Sequence, residues 1–296
     1  MKIKFCFRLS SRFVFLFILS VLITSAVYGQ YEQDLVYSVP GMDKVKVHPD
    51  IVYKQDAHGE RKLDIYTPPG LKSDTRLPAV IFVHGGPLGE NLPKPKNMPF
   101  FKSYGKLMAA SGLVGVVINH RFTGTDKKAL DTTFADVEES ILFVRSKSAS
   151  YNIDPDRIAL WVFSGGGTRI SIPMQKQMKF IRCMVSYYGM PDINILAKVI
   201  GQAAPQSVEK YNPATYLTKD YEYRPPLLIV RAGKEHFPEI NQSIDDFFSR
   251  MLSLNSDISL LNHPNGVHGF DSRNDDEQTR FIIKTTILFL KRHLGL

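Results

Sequence analysis

The stretch "LWVFSGGGTRI", residues 160–170, places a serine and three glycines directly after an apolar run that ends at Phe163. An apolar run followed by small residues is typical of a β-strand that turns sharply into a helix. Such a turn would hold the Ser164 hydroxyl at the carboxyl edge of a parallel sheet, with the positive end of a helix behind it. A serine here can equally be an ordinary helix N-cap. The rest of the chain decides between the two interpretations.

Apolar runs alternate with segments of helical period from residue 50 to the end. Continuous runs rich in β-branched residues indicate parallel strands covered by helices on both faces, and they occupy residues 77–86, 114–121, 157–164, 181–189 and 226–233. The alternating stretch 61–68 predicts a half-exposed antiparallel strand. Helical spacing is found at residues 100–112, 132–148, 241–252 and 276–294. We therefore predict one α/β domain with a mostly parallel central sheet, helices on both faces and a small cap at residues 191–224.

A second turn, "IFVHGGP" at residues 81–87, ends an earlier buried strand with two glycines. Glycine lets a backbone N–H approach a substrate oxygen closely, which a Cβ would obstruct. Gly85 and Gly86, together with the amide of Gly165, are therefore predicted to form an oxyanion hole, and His84 to brace this loop. The alternative is a plain turn, but two such turns in this order favour a site.

A nucleophilic serine needs a base, and the base needs an orienting acid. His268, in "HPNGVHGFD", follows the last predicted strand, where a loop can reach the sheet edge. Its neighbour His263 is the competitor but sits nearer the strand. Glu235 follows the buried strand 226–233 and is the predicted acid. Asp192, in "YYGMPDIN", also follows a strand and stays open as the alternative.

The order Ser164, Glu235, His268 is that of the α/β-hydrolase fold, and from about residue 50 onward the chain resembles its esterase and lipase branch. The resemblance is to secreted bacterial esterases and dienelactone-hydrolase-like proteins, through "LDIYTPPG", "AVIFVHGG", "DPDRIALWVFSGGG", "PPLLIVRAGKE" and "VHGFD". It implies that Ser164 is the nucleophile, His268 the general base and then acid, and Glu235 its orienting partner, with Gly85, Gly86 and Gly165 as oxyanion donors. It also implies hydrolysis of carboxylic esters, on acylated carbohydrates or small aromatic esters, without a metal or organic cofactor.

Two positions depart from the family pattern. Val162 stands where G-x-S-x-G has its first glycine, and Glu235 stands where the acid is usually aspartate. Neither departure removes a reacting group, so an active enzyme is expected. Two alternatives stay open: a peptidase of the prolyl-oligopeptidase kind, which shares the fold and the triad order but usually carries a large additional domain, and a catalytically silent α/β-hydrolase that binds a ligand or partner, which Val162 favours.

The first 29 residues have a basic start, a short apolar stretch and small residues toward the end. This pattern predicts a secretory signal peptide, 1–29, cleaved after Gly29 or alternatively after Ala26, followed by a catalytic domain at residues 30–296. An uncleaved anchor is disfavoured because a spanning helix needs about 20 apolar residues. We expect export to the periplasm or the medium, with no stable membrane span after cleavage.

The formal net charge is +8, and four positive charges in the first segment account for half of it. The rest of the chain has no basic stripe with interleaved aromatics, so a nucleic-acid partner is not expected. Once Cys6 is removed with the signal peptide, Cys183 is the only cysteine left, which excludes an intramolecular disulfide. No Cys or His pair has the spacing of metal ligands, so no metal site is predicted.

Overall fold

We describe the protein from a computed structural model, which describes residue 29 and residues 31–88 and 94–296. The predicted signal peptide lies outside the described residues apart from Gly29. Within the described ranges the strands are β1 Lys46–Asp56, β2 Gly59–Thr67, β3 Leu77–Val83, β4 Val114–Ile118, β5 Ile153–Phe163, β6 Ile181–Tyr187, β7 Leu227–Lys234 and β8 Ile258–Val267. The helices are α1 Pro99–Ala110, α2 Lys127–Ser146, α3 Ser171–Gln175, α4 Ile193–Val199, α5 Pro238–Ser253, α6 Phe270–Arg273 and α7 Glu277–Leu294.

The eight described strands form one sheet in the order β1-β2-β4-β3-β5-β6-β7-β8. β2 runs antiparallel to β1 and β4, and all other pairs are parallel. Alternate residues of the central strands face two separate apolar layers: Val80 and Phe82 belong to one, Ile81 and Val83 to the other. Helices α1 and α7 contribute to the first layer, and α2 and α5 to the second. The predicted α/β fold class is therefore confirmed.

Two local predictions are wrong. Residues 63–67 of β2 are buried rather than half-exposed, because α1 packs over this strand: Gly105 lies against the Tyr66 ring. An α-helix does not follow Ser164 directly; a 3₁₀ turn runs from Ser164 to Ile170, and only the five-residue α3 follows. Three glycines are poor helix formers, and Pro173 cannot donate a helical hydrogen bond.

The first part of the segment 191–224 lies beside the carboxyl ends of the strands, as predicted for a cap. Its last residues return to the amino ends, where the Tyr223 Oη donates to the oxygen of Ile181, the first residue of β6. It contains α4 and 3₁₀ turns at Glu209–Tyr211 and Pro213–Tyr216. Gln202 Oε1 accepts a hydrogen bond from the N–H of Thr125, which follows β4. None of the helices in the described ranges has the length and apolar character needed to span a bilayer.

Candidate active site

Ser164 occupies a strained turn at the end of β5. Its φ is +51°, a region that non-glycine residues rarely adopt and that is concentrated at functional sites. The turn after β3 packs directly against it: a Cβ on Gly85 would lie 2.7 Å from the Ser164 Cβ, and one on Gly165 would lie 2.5 Å from the Gly86 oxygen. The glycines at these positions are thus required by close approach of the two turns.

Val162, the departure from the family pattern, is an ordinary core residue. It is fully buried in the sheet, aligned with Val83 of β3 and Ser186 of β6. Ile170, at the end of the 3₁₀ turn, belongs to the same apolar cluster. The fold therefore accommodates the valine within the apolar layer on one face of the sheet.

Two hydrogen bonds connect Ser164, His268 and Glu235. The His268 Nε2 lies 2.8 Å from the Ser164 Oγ, and its Nδ1 lies 2.6 Å from the Glu235 Oε2. The three residues follow β5, β8 and the end of β7, so the carboxyl edge of the sheet brings them together. Ser164 is only 1% exposed, and the Glu235 side chain 2%. These hydrogen bonds therefore lie in a largely desolvated environment, where electrostatic interactions are strong.

Glu235 is held in its ionised form. Burial alone would raise the pKa of this carboxyl, but the charge and hydrogen bond of His268 and two backbone N–H donors hold it below its ordinary value. Those donors are the N–H groups of His236, at 2.8 Å from Oε1, and Phe237, at 3.5 Å. The carboxylate can accordingly fix the tautomer of His268 and stabilise the imidazolium.

The competing base and acid have other partners. His263 is buried, and its Nε2 lies 3.0 Å from the Thr279 Oγ1 and 3.2 Å from the Asp276 Oδ1. These contacts connect β8 to the start of α7. Asp192 caps α4, where its carboxylate accepts a hydrogen bond from the Asn194 N–H at 2.8 Å. The structure thus brings His268 and Glu235, rather than these two residues, to Ser164.

The three glycines proposed as oxyanion donors differ in their surroundings. The Gly85 N–H donates to the Tyr31 Oη at 3.1 Å, so it would reach a substrate oxygen only if that bond broke. Cβ atoms built on Gly86 and Gly165 would each lie 3.0 Å from the Phe122 ring. Gly86 and Gly165 therefore face each other beside Phe122 on the two turns.

Tyr31 is a neighbour of the site that the sequence did not indicate. It is fully buried, and its ring packs on Phe100 and Phe101 with centroid distances of 5.2 and 4.9 Å. A Cβ on Gly85 would lie 3.0 Å from the Tyr31 Oη. The same Cβ would also approach the Ser164 Cβ, so Tyr31 and Ser164 both lie against this glycine. Its phenol thus supports the turn after β3 beside the serine.

Tyr31→Phe is expected to lower kcat for a short-chain ester about tenfold with little change in KM, because the turn that carries Gly85 and Gly86 would lose a hydrogen bond that positions it beside Ser164. The ring packing on α1 would be kept. The measurement is steady-state kinetics on the two purified proteins, with circular dichroism to verify folding.

Tyr223→Phe is the matched control, since its Oη donates to the Ile181 oxygen at the opposite end of β6. It should retain the kinetic constants of the unmodified protein. A higher kcat in Tyr31→Phe would contradict the expectation and would mean that the freed Gly85 N–H acts as an oxyanion donor.

A stacked histidine pair braces the turn after β3. The rings of His84 and His120 lie 3.7 Å apart and nearly parallel. His84 Nδ1 lies 2.6 Å from the Gly85 oxygen, and Nε2 lies 3.2 Å from the His120 oxygen. Burial lowers the pKa of His84 to about 4 and that of His120 well below its ordinary value. Both rings are therefore neutral near pH 7, so His84 donates to one of these two carbonyl oxygens, and the stacked pair braces the turn, as predicted for His84.

Arg169 is a second feature that the sequence analysis missed. Its guanidinium is fully buried, donates to the Gly165 oxygen at 2.6 Å and lies over the Phe122 ring at 4.1 Å. Burial lowers its pKa to about 9, so the group stays charged at neutral pH. The sequence signal for this residue is a single arginine within the otherwise uncharged stretch "GGGTRI" after the serine. Arg169 fixes the peptide that follows the serine.

Part of the chain is similar in sequence to known proteins. Residues 63–177 match the family model described as BD-FAE. An acetylxylan esterase from Xylanibacter ruminicola is 24% identical over 172 residues, which are 54% of this chain and 35% of that protein. The chain thus spans about a third of the length of this curated relative.

Two solved structures illustrate the similarity of the fold. Esterase B from Lactobacillus Rhamnosis has a TM-score of 0.71 at 14% identity, covering 96% of this chain and 95% of that one. Est2, a thermophilic esterase from Thermogutta terrifontis, has a TM-score of 0.65 at 20% identity, covering 86% and 94%. At these identities the likeness is one of fold. The sheet order, the turn at Ser164 and these neighbours together establish that the chain has the α/β-hydrolase fold.

Proposed function

We propose that the protein is a serine hydrolase that cleaves carboxylic esters, with residues 30–296 as a single catalytic domain. The observation that supports this most directly is the pair of hydrogen bonds from Ser164 through His268 to Glu235. A nucleophile, a base and an orienting acid in this order are what acyl transfer requires. The names of the acetylxylan esterase relative and of the solved esterases support the same reaction class.

In the proposed reaction, the Ser164 Oγ attacks the ester carbonyl carbon while the His268 Nε2 takes the hydroxyl proton. Negative charge develops on the carbonyl oxygen, where the N–H groups of Gly86 and Gly165 donate, joined by Gly85 if its bond to Tyr31 breaks. The C–O bond to the alcohol then breaks, and the alcohol leaves with the proton from His268.

The second half of the proposed reaction releases the acid. Water loses a proton to His268 and attacks the acyl-enzyme carbonyl, and the carboxylic acid leaves as Ser164 regains its proton. Glu235 stabilises the imidazolium in both halves. None of these steps draws on a metal or organic cofactor.

The proposed substrates are acylated carbohydrates or small aromatic esters. The support is the relative's name, acetylxylan esterase, together with the predicted signal peptide at residues 1–29. The signal peptide would direct export of the enzyme to the periplasm or the medium, where it would encounter polysaccharides.

The test combines a fluorophosphonate probe with an ester panel of 4-nitrophenyl acetate, acetylated xylan and methyl ferulate. We expect a covalent adduct on the peptide that contains Ser164, located by mass spectrometry, and turnover of at least one ester. Absence of both would contradict the proposal and favour a silent binding protein. Labelling of Ser164 without turnover of any of the three esters would contradict ester hydrolysis and favour the peptidase.

A further inference from the structure

A buried carboxyl group lies next to the candidate base and has no part in the proposed reaction. Asp271 is fully buried in α6, in the same turn as His268. Its Oδ2 accepts a hydrogen bond from the Tyr104 Oη of α1 at 2.5 Å, and its Oδ1 accepts one from the Tyr188 Oη at 2.8 Å. An unpaired buried carboxylate is costly, so this arrangement calls for an explanation.

Tyr188 connects this carboxyl to the imidazole. Its ring centroid lies 4.6 Å from that of His268, with the two planes tilted by 53°. The residue follows β6 with a φ of +38°, and its N–H donates to the Val230 oxygen of β7 at 2.7 Å. Two strands and Asp271 thus hold the phenol against His268 in a backbone conformation that is uncommon for tyrosine.

Asp271 carries its charge at neutral pH. Burial raises its pKa to about 6, against the opposing effect of the hydrogen bonds from Tyr104 and Tyr188 and of the nearby His268. The Tyr187 phenol lies nearby but makes its hydrogen bond with Thr286, and burial raises the pKa of this phenol well above its ordinary value, so it stays neutral. Among the described residues that act on this carboxylate, the phenols are neutral and His268 gains a positive charge in the proposed reaction.

In the described part of the chain, His268 contacts both partners of the proposed triad and two further residues. Glu235 and Ser164 bind its two ring nitrogens, and the Tyr188 ring lies beside it. Arg273, on the same turn, donates to its backbone oxygen at 3.4 Å. A second carboxylate near the imidazole would stabilise the imidazolium by direct attraction and through an electron-rich phenol.

We propose that Asp271 is a positioning residue, which holds Tyr188 against His268 and stabilises the imidazolium that forms when Ser164 gives up its proton. The inference rests on the proposed function for its catalytic consequence. Its geometry, a carboxyl group joined through Tyr188 to the ring of His268, is present in the resting protein as well.

The test is Asp271→Asn, which keeps the shape but removes the charge. Its amide oxygen can accept from one of the two phenols, and its NH2 group can donate to the oxygen of the other. We expect kcat to fall about tenfold with KM changed by less than about twofold, because the imidazolium forms only along the reaction. The acid limb of the kcat/KM profile should move to lower pH, since the imidazole would lose its proton more readily.

Two variants separate this role from simple packing. Tyr188→Phe keeps the ring on His268 and breaks only its bond to Asp271, so it should move the acid limb in the same direction and serves if Asp271→Asn does not fold. Tyr187→Phe is the matched control: its Oη bonds the Thr286 Oγ1 at 2.7 Å, and it should leave the profile unchanged. An unmoved acid limb in a folded Asp271→Asn protein, or an equal shift in Tyr187→Phe, would overturn the inference.

A measurement without substrate distinguishes failure of the inference about Asp271 from failure of the proposed function. The imidazole signals of His268 are followed by NMR against pH in the unmodified and Asp271→Asn proteins. A move of this titration to lower pH supports the inference even if no ester is turned over, and an unchanged titration overturns it even if the enzyme is active.

Discussion

Replacing Ser164 by alanine is expected to lower kcat/KM for a short-chain ester by on the order of 10⁴-fold or more and to abolish labelling by a fluorophosphonate. Without the Oγ no acyl-enzyme can form, and the oxyanion donors alone would supply only the residual rate. The change removes one oxygen from a side chain that is 1% exposed, so the fold should persist. Kinetics and probe labelling of the purified variant check both parts.

The matched control for this prediction is Ser171→Ala. Ser171 is also 1% exposed, begins α3 a few residues later, and has a buried Oγ without a hydrogen-bond partner in the described part of the chain. Its loss should leave turnover and labelling unchanged. Retention of labelling in Ser164→Ala would contradict the assignment of the nucleophile, because another residue would then carry the adduct.

The parallel sheet was predictable because buried strands need continuous apolar runs. The stretches around Phe82 and Leu160 contain no polar position, which only a strand covered on both faces tolerates. β2 misled the same reasoning. Lys62 and Asp64 alternate with Leu63 and Ile65, as in a half-exposed strand, yet residues 63–67 are buried because α1 packs over them. The local sequence of a strand does not show whether a helix that is distant along the chain will cover it.

Strand ends also made the candidate site partly predictable. Ser164, Glu235 and His268 each follow a buried strand, and the carboxyl ends of parallel strands meet at one edge. The same rule admits Asp192, and position along the chain alone does not decide between the two acids. The difference arises locally: Asp192 caps α4 through Asn194, whereas Glu235 reaches the imidazole.

The supporting residues were not predictable by these rules. Tyr31 meets Gly85 across 54 positions, and Tyr104 meets Asp271 across 167. The residues of each pair do not belong to one motif or to one helical or strand repeat, so only the folded chain brings them together. Aromatic residues such as these are ordinarily assigned to the core, and their hydroxyl partners are what indicate a further role.

Replacing Glu235 by glutamine is expected to lower kcat/KM by on the order of 10³-fold or more, the second-largest effect after that of Ser164. A glutamine amide can donate to Nδ1 and so hold His268 in the wrong tautomer, and it leaves the imidazolium without its carboxylate. Glu235→Asp should lose less activity, because it keeps the charge but is one methylene too short to maintain the 2.6 Å hydrogen bond. Kinetics across pH on the three proteins measures both effects.

Asp192→Asn is the matched control, since asparagine can still cap α4 through the Asn194 N–H. It should keep kcat/KM within about twofold of the unmodified protein. Loss of turnover in Asp192→Asn with activity retained in Glu235→Gln would transfer the role of the acid to Asp192. The hydrogen bond seen between Glu235 and His268 would then be a feature of the resting protein alone, and a rearrangement of the loop after β6 would have to precede catalysis.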